Sequence, residues 1–95
     1  METWLQHKFE SIEALRERSR ENIIASRPEW AGTKYDRPGG ARGDEFDAFA
    51  SKAKDGDELW WFKSPLESWQ NMCGRAGYAI LRDGKVIATY VSKMS

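Results

Sequence analysis

Cys73 and Arg75 are the side chains whose types and spacing come nearest to a reactive pair. A neighbouring guanidinium stabilises the thiolate, which is the nucleophilic form of cysteine. Against this, Cys73 is at the predicted C-terminal end of a helix, where the helix dipole disfavours negative charge. The only histidine, His7, belongs to a distant predicted helix. The sequence therefore favours a packed, unreactive Cys73 over a catalytic one.

The Gly-Arg-Ala-Gly segment at residues 74–77 could hold an anion with backbone N–H groups and the Arg75 guanidinium. Its spacing matches no phosphate-binding fingerprint. A helix end followed by a glycine that faces Tyr90 across a hairpin is the simpler interpretation. An anionic-ligand site made of Cys73, Arg75 and Trp69 stays open as the alternative.

The segment 26–43 carries a second set of candidates, namely Trp30, Tyr35, Arg37 and Arg42. Such residue types are enriched at the centres of protein contacts and also stack on nucleotides. The segment shows no hydrophobic periodicity, and its Pro-Gly pair at 38–39 predicts a type II turn. Because 18 residues are long for a loop in a small domain, we expect it to be either mobile or a partner-binding surface.

Charge argues against several function classes. The chain has 15 basic and 15 acidic residues, and the balance nearly holds segment by segment. Nucleic-acid binding is therefore disfavoured. The acids at 44, 45 and 47 are explained by helix capping and lack calcium-loop spacing, so no metal is expected. No motif predicts a cofactor or a catalytic set.

Cysteine usage and hydropathy indicate a compartment. One cysteine excludes an intramolecular disulfide and favours a reducing environment. The longest fully apolar stretch is Leu-Trp-Trp-Phe at 59–62, far short of a membrane span. The first ten residues lack the apolar core of a signal peptide. We expect a cytoplasmic protein without membrane contact.

Hydrophobic periodicity and capping residues predict three helices that must position these candidates. Apolar residues recur at three- and four-residue steps over 3–25, and the helix must end near Ser26 because Arg27 precedes Pro28. A second helix is predicted at 44–54, with Asp44 as its N-cap. A third is predicted at 64–73, where Ser64 precedes a proline at the first helical position.

Alternating and turn residues predict three strands. Residues 58–63 are apolar on both faces, which is typical of a central strand. Residues 78–82 and 85–91 form a predicted hairpin, because Asp-Gly at 83–84 favours a type I′ turn. A two-residue loop pairs 82 with 85, 81 with 86, 80 with 87, 79 with 88 and 78 with 89. The short helices are expected on the face of Ala79 and Leu81, because small residues allow close approach.

The combined prediction is a single α+β domain over 1–95 with the order α-α-β-α-β-β. A three-stranded antiparallel sheet carries helices packed on it, and the domain divides into a helix (3–25), a mobile loop (26–43) and an α/β core (44–93). The face of Tyr78 and Ile80 also needs a cover. The N-terminal helix and a second copy of the chain, which would make a homodimer, are the two alternatives.

Four short segments carry a resemblance. They are Gly-Asp-Glu-Leu-Trp at 56–60, Phe-Lys-Ser-Pro-Leu-Glu-Ser-Trp at 62–69, Gly-Arg-Ala-Gly-Tyr-Ala at 74–79 and Arg-Asp-Gly at 82–84. This block resembles a group of short bacterial proteins of unassigned function, over about residues 56–91. The resemblance implies a bacterial module, and it brings no activity and no site residues.

The functional expectation is a small regulatory or protein-binding module without catalytic activity. It would contact its partner through Trp30, Tyr35, Arg37 and Arg42. Two alternatives remain: a small enzyme or anionic-ligand binder that uses Cys73 and Arg75, and a nucleic-acid-binding accessory protein.

Overall fold

The computed structural model describes residues 4–65, 70 and 74–94. Over these residues the fold is a four-stranded antiparallel sheet, with strands in chain order, and two α-helices packed against it. The elements are β1 (Leu5–Phe9), α1 (Ile12–Ser26), α2 (Gly43–Ala50), β2 (Glu58–Lys63), β3 (Arg75–Arg82) and β4 (Lys85–Met94). Two 3₁₀ turns, Pro28–Trp30 and Gly40–Arg42, lie between α1 and α2.

The predicted α+β class agrees with this fold, but the predicted strand number and element order are wrong. The order α-α-β-α-β-β with a three-stranded sheet is replaced, over the described residues, by β-α-α-β-β-β with four strands. The predicted helix at 64–73 lies largely outside the described residues.

The main error is at the N-terminus, where residues 5–9 form edge strand β1 instead of the first turns of a helix. Helix α1 begins after Ser11, whose backbone is extended and whose side-chain oxygen caps the helix by accepting from Ala14 N at 3.1 Å. The register of β1 against β2 shifts between Leu5 and His7. Leu5 and Phe9 therefore contact the hydrophobic clusters on opposite faces of the sheet.

Two local predictions are confirmed. Strand β2 is central, pairing with both β1 and β3, and Leu59 and Trp61 face one cluster while Trp60 and Phe62 face the other. Helix α1 ends at Ser26, just before the Arg27-Pro28 step. The steric clash that proline imposes on its preceding residue accounts for this end.

The β3–β4 hairpin has the predicted turn but only part of the predicted register. Asp83 and Gly84 both have positive φ, 54° and 78°, as a type I′ turn requires. The pairs 82–85 and 81–86 form as expected. A register shift then leaves one extra residue in β4, so Ile80 pairs with Ala88 and Tyr78 with Tyr90. The predicted pairs 80–87, 79–88 and 78–89 are wrong because β4 is bulged.

Both helices pack on the face of Tyr78, Ile80 and Tyr90, and the predicted placement of the short helices on the Ala79 and Leu81 face is wrong for α2. Phe46 of α2 is completely buried there. Its ring meets Tyr78 at 5.9 Å and 90°, and Tyr90 at 5.2 Å and 81°. These edge-to-face contacts favour the tyrosine face over one built of small side chains.

Helix α2 is shorter than the predicted span of 44–54. It begins at Gly43 and ends at Ala50, and Arg42 rather than Asp44 occupies the N-cap position without a side-chain cap bond. Phe46, Phe49 and Ala50 form the buried face of the helix, together with Gly43 at its start. Asp44 and Glu45 instead contribute negative charge to the first turn, where the helix dipole favours it.

An ion pair joins the chain before β2 to the tip of the hairpin. Arg82 donates from Nε and Nη2 to the two carboxylate oxygens of Asp57, both at 2.8 Å. The Asp57 side chain is only 3% exposed and also accepts from Lys54 N. The hydrogen bonds from Arg82, and then that from Lys54, lower the pKa of Asp57 from 3.8 to about 2.

None of the helices in the described part of the chain is long and apolar enough to cross a membrane. The longer one, α1, has 15 residues and a buried face limited to Leu15 and Ser19.

Gly77→Ala should lower the free energy of unfolding by about 3 kcal/mol, the upper end of the range for an overpacked interior. A Cβ at position 77 would overlap the carbonyl oxygen of Tyr90, which is backbone and cannot rotate away. Gly56→Ala is the matched control, because its positive φ of 90° is strained but nothing lies within 4 Å. It should cost only about 1 kcal/mol. Equal losses in urea denaturation would contradict this packing.

Asp57→Asn should reduce the dependence of stability on acid pH. Because the pKa of Asp57 is lowered from 3.8 to about 2 on folding, its contribution is present above pH 3.8 and is lost as the pH falls towards 2. The variant should be less stable than the wild type at neutral pH, and the difference should shrink across that window. Thermal unfolding at stepped pH measures this, with exposed Asp55→Asn as control. If the stability difference between the wild type and Asp57→Asn stayed the same down to pH 2, this prediction would be wrong.

Candidate functional site

The segment 26–43 is held to α1 through a tight turn. Gly39 has φ 80° and ψ −12°, and Gly40 N donates to Arg37 O at 2.9 Å, which is the predicted type II turn. Gly39 N also donates to Ser19 Oγ of α1 at 3.0 Å, and Ser19 is only 4% exposed. A buried hydrogen bond to helix α1 therefore fixes the middle of this segment.

Arg42 joins the end of the segment to the sheet. Its Nη1 donates to Val91 O of β4 at 2.8 Å, and its Nη2 donates to Glu45 at 2.7 Å. Its guanidinium lies over the Tyr90 ring, 4.8 Å from the centroid. Arg42 therefore links α2 to β4. The sequence predicts it instead as a partner-binding residue.

Arg37 also makes its contacts within the segment. Its Nε donates to Gly40 O at 3.1 Å, and its Nη1 lies 3.7 Å from Asp44 Oδ1. The guanidinium occupies the space where a side chain at Gly43 would begin. Arg37 thus supports the turn that precedes α2.

The aromatic rings of Trp30 and Tyr35 contact each other within segment 26–43. Their ring centroids are 4.8 Å apart, and both side chains are half-buried. The guanidinium of Arg27 lies 5.5 Å from the Trp30 ring, and Lys34 Nζ lies 5.2 Å from the Tyr35 ring. We call these four residues the Trp30 cluster. Sequence reasoning missed its two exposed cations, although Arg27 precedes Trp30 by one helical turn and Lys34 is adjacent to Tyr35.

Asp36 pairs with two groups that do not belong to the Trp30 cluster. Its Oδ2 accepts from Gly32 N at 2.9 Å, and its Oδ1 is 2.8 Å from Arg20 Nε. The Arg20 contact is an ion pair whose N–H does not point squarely at the oxygen. The backbone hydrogen bond from Gly32 lowers the pKa of Asp36, and the charge of Arg20 adds to this.

The structure thus divides the four predicted partner-binding residues into two pairs. Trp30 and Tyr35 form a surface cluster, whereas Arg37 and Arg42 hold the segment in place. The division follows from acceptors that lie far along the chain, such as Val91 O, which nothing near Arg42 in the sequence indicates.

The second predicted set is only partly described. Cys73 and Trp69 lie outside the described residues, so a site made of them and Arg75 stays a prediction. Arg75 begins β3, where its backbone N donates to Ser64 Oγ at 2.9 Å and its Nη1 donates to Gly74 O at 3.2 Å.

Several basic side chains that nucleic acid would need are occupied by carboxylates. Among the described residues, five arginines lie within 4.0 Å of an acidic partner: Arg16 with Asp47, Arg20 with Asp36, Arg37 with Asp44, Arg42 with Glu45 and Arg82 with Asp57. Such pairs reduce the positive field available to a phosphate backbone.

A cavity of about 120 Å³ lies between α1, the turn at Gly39 and strand β4. Its lining includes two tyrosines (Tyr78 and Tyr90), three serines, Asn22, and the basic residues Arg42 and Lys93. We call it the α1–β4 cavity. A wider, acidic groove of about 340 Å³ runs between Glu10 and Asp57. Within the described ranges, no group of three or more His, Cys, Asp or Glu residues could hold a metal ion.

Comparison of the chain with protein-family models, curated proteins and solved structures finds no match.

Arg42→Met should lower the free energy of unfolding by about 1 kcal/mol, because it removes a hydrogen bond from a charged, half-exposed donor to Val91 O. It should also speed hydrogen exchange at the Gly39 and Gly40 amides, which depend on the same brace. Arg18→Met, on the exposed face of α1, is the control. Unchanged exchange at both glycines would mean that the segment is held without Arg42.

Proposed function

We propose that this protein is a binding module without catalytic chemistry, which contacts an acidic segment of a partner protein through the Trp30 cluster. One observation carries the proposal. Two half-buried aromatic rings lie 4.8 Å apart on the surface, each beneath a cation, on a segment tied to both α1 and β4. A pre-ordered surface loses little conformational entropy on binding.

The residue types support a protein contact. Tryptophan, tyrosine and arginine carry most of the energy in protein interfaces, because they combine large apolar area with directed hydrogen bonds. A cation stacked over a ring keeps its N–H groups at its edge, where a carboxylate can accept them. The Trp30 cluster would therefore take an apolar residue on its rings and acidic residues at Arg27 and Lys34.

The local charge supports an acidic partner. Arg27 and Lys34 are exposed, whereas the half-buried acid Asp36 is paired with Arg20. Exposed Glu29 is the one acid close in sequence that is left to oppose them. Charge complementarity of this kind sets partner choice and association rate more than affinity.

Nucleic acid is the weaker candidate for the same surface. A polyanion requires a run of free cations along its backbone, and the two cations of the Trp30 cluster do not extend into one.

The single cysteine makes a reducing compartment, such as the cytoplasm, the proposed location.

Charge reversal tests the proposal. A random peptide library displayed on phage is selected on the wild-type chain and on the double variant Arg27→Glu and Lys34→Glu. The wild type should enrich Asp- and Glu-containing peptides that include an apolar residue. The variant should enrich Lys- and Arg-containing peptides, and wild-type peptides should bind it at least about tenfold more weakly, as expected for two like-charge contacts.

A second double variant, Arg18→Glu and Lys52→Glu, is the matched control, because both cations are exposed and lie outside the Trp30 cluster. It should select the same peptides as the wild type. Thermal unfolding of each variant separates lost binding from lost folding. Selection of the same peptides by the wild type and by the Arg27 and Lys34 variant would overturn the proposal, as would equal losses in both double variants.

A further inference from the structure

The α1–β4 cavity has chemistry that neither the fold nor the Trp30 cluster accounts for. Tyr78 is 1% exposed and Ser19 is 4% exposed, yet both polar residues belong to its lining. Asn22 Nδ2 donates to the Tyr78 hydroxyl oxygen at 3.4 Å. Burial raises the pKa of Tyr78, and its hydrogen bonds with Asn22 and Ser19 act against that shift.

The lining of the cavity also carries positive charge. Arg42 and Lys93 both line the cavity, and none of the described lining residues is acidic. Arg42 is compensated by Glu45 at 2.7 Å. Lys93 is exposed on β4, and no described carboxylate pairs with it. A negatively charged ligand would therefore meet the ammonium of Lys93, with Arg42 behind it.

The walls are largely carbon. Tyr78, Tyr90 and Ile23 belong to the lining, and most of the cavity surface is apolar. A free phosphate placed against them would lose water contacts that the walls cannot replace, whereas an organic molecule would bury its carbon atoms. The volume of about 120 Å³ is slightly smaller than a cavity that holds benzene, so a chain of about four carbon atoms fits inside, with a charged end group at the exposed Lys93.

From this arrangement we infer that the α1–β4 cavity binds a small organic carboxylate. The carboxylate faces Lys93 and Arg42, and the short carbon chain lies between Ile23 and the rings of Tyr78 and Tyr90. The site is separate from the Trp30 cluster and does not depend on the function proposed for it.

Nuclear magnetic resonance titration of the ¹⁵N-labelled full chain tests the inference. The probes are butyrate, its neutral isostere butyramide, and inorganic phosphate, at constant ionic strength and pH. Butyrate should give saturable shifts at the amides of Gly39, Ser92 and Lys93, with a dissociation constant in the millimolar range. Butyramide should bind about three- to tenfold more weakly, the effect of losing a partly screened charge contact.

Two variant pairs localise the effect. Lys93→Met should weaken butyrate binding about three- to tenfold, while Lys85→Met, an exposed lysine at the far end of β4, should leave it unchanged. Ser26→Leu places a side chain in the cavity and should abolish saturable shifts. Ala25→Leu, on an exposed neighbour outside the lining, should not. Thermal unfolding checks that all four variants fold.

The outcomes are distinct. Tighter binding of butyrate than of butyramide, lost in the Lys93 and Ser26 variants only, supports the site. Equal binding of butyrate and butyramide overturns it, because charge then plays no part. Tighter binding of phosphate than of butyrate, or no saturable shifts with any probe, also overturns it.

Discussion

The packing of Phe46 between Tyr78 and Tyr90 is the contact on which the rest of the described structure depends. It requires both tyrosines on one face of the sheet, which holds only because the bulge in β4 places Tyr90 opposite Tyr78. Phe46 then fixes α2 against the sheet, and with it the residues that lead into α2. Each candidate surface lies one or two contacts away from this aromatic core.

The same tyrosines connect the core to both surfaces. The Tyr90 ring supports the guanidinium of Arg42, which holds the segment that presents the Trp30 cluster. Tyr78 lines the α1–β4 cavity and meets Asn22 of α1 there. A small domain can keep such surfaces ordered because buried aromatic area stabilises the fold and the support of the surface residues at once.

Signals confined to a few residues predict structure well in this chain. The turns at Pro38-Gly39 and Asp83-Gly84 and the end of α1 before Pro28 depend on φ preferences and local clashes, so sequence reasoning identifies them. Strand β1 is missed because the spacing of Leu5 and Phe9 fits a helix as well as a strand. The segment is a strand because it pairs with the open edge of β2, which lies more than 45 residues later in the chain.

The sequence predicts part of the candidate site, and the rest follows only from the tertiary structure. Residue types alone single out Trp30 and Tyr35, since a loop with no hydrophobic periodicity gives these rings no predicted place in the core. The sequence by itself determined the α+β class, the turns and the helix end, because each depends on neighbouring residues. The tertiary structure decided which face the helices cover, that Arg42 braces the sheet, and that a cavity exists. Those features depend on contacts between distant segments, whose alignment a single bulged residue shifts.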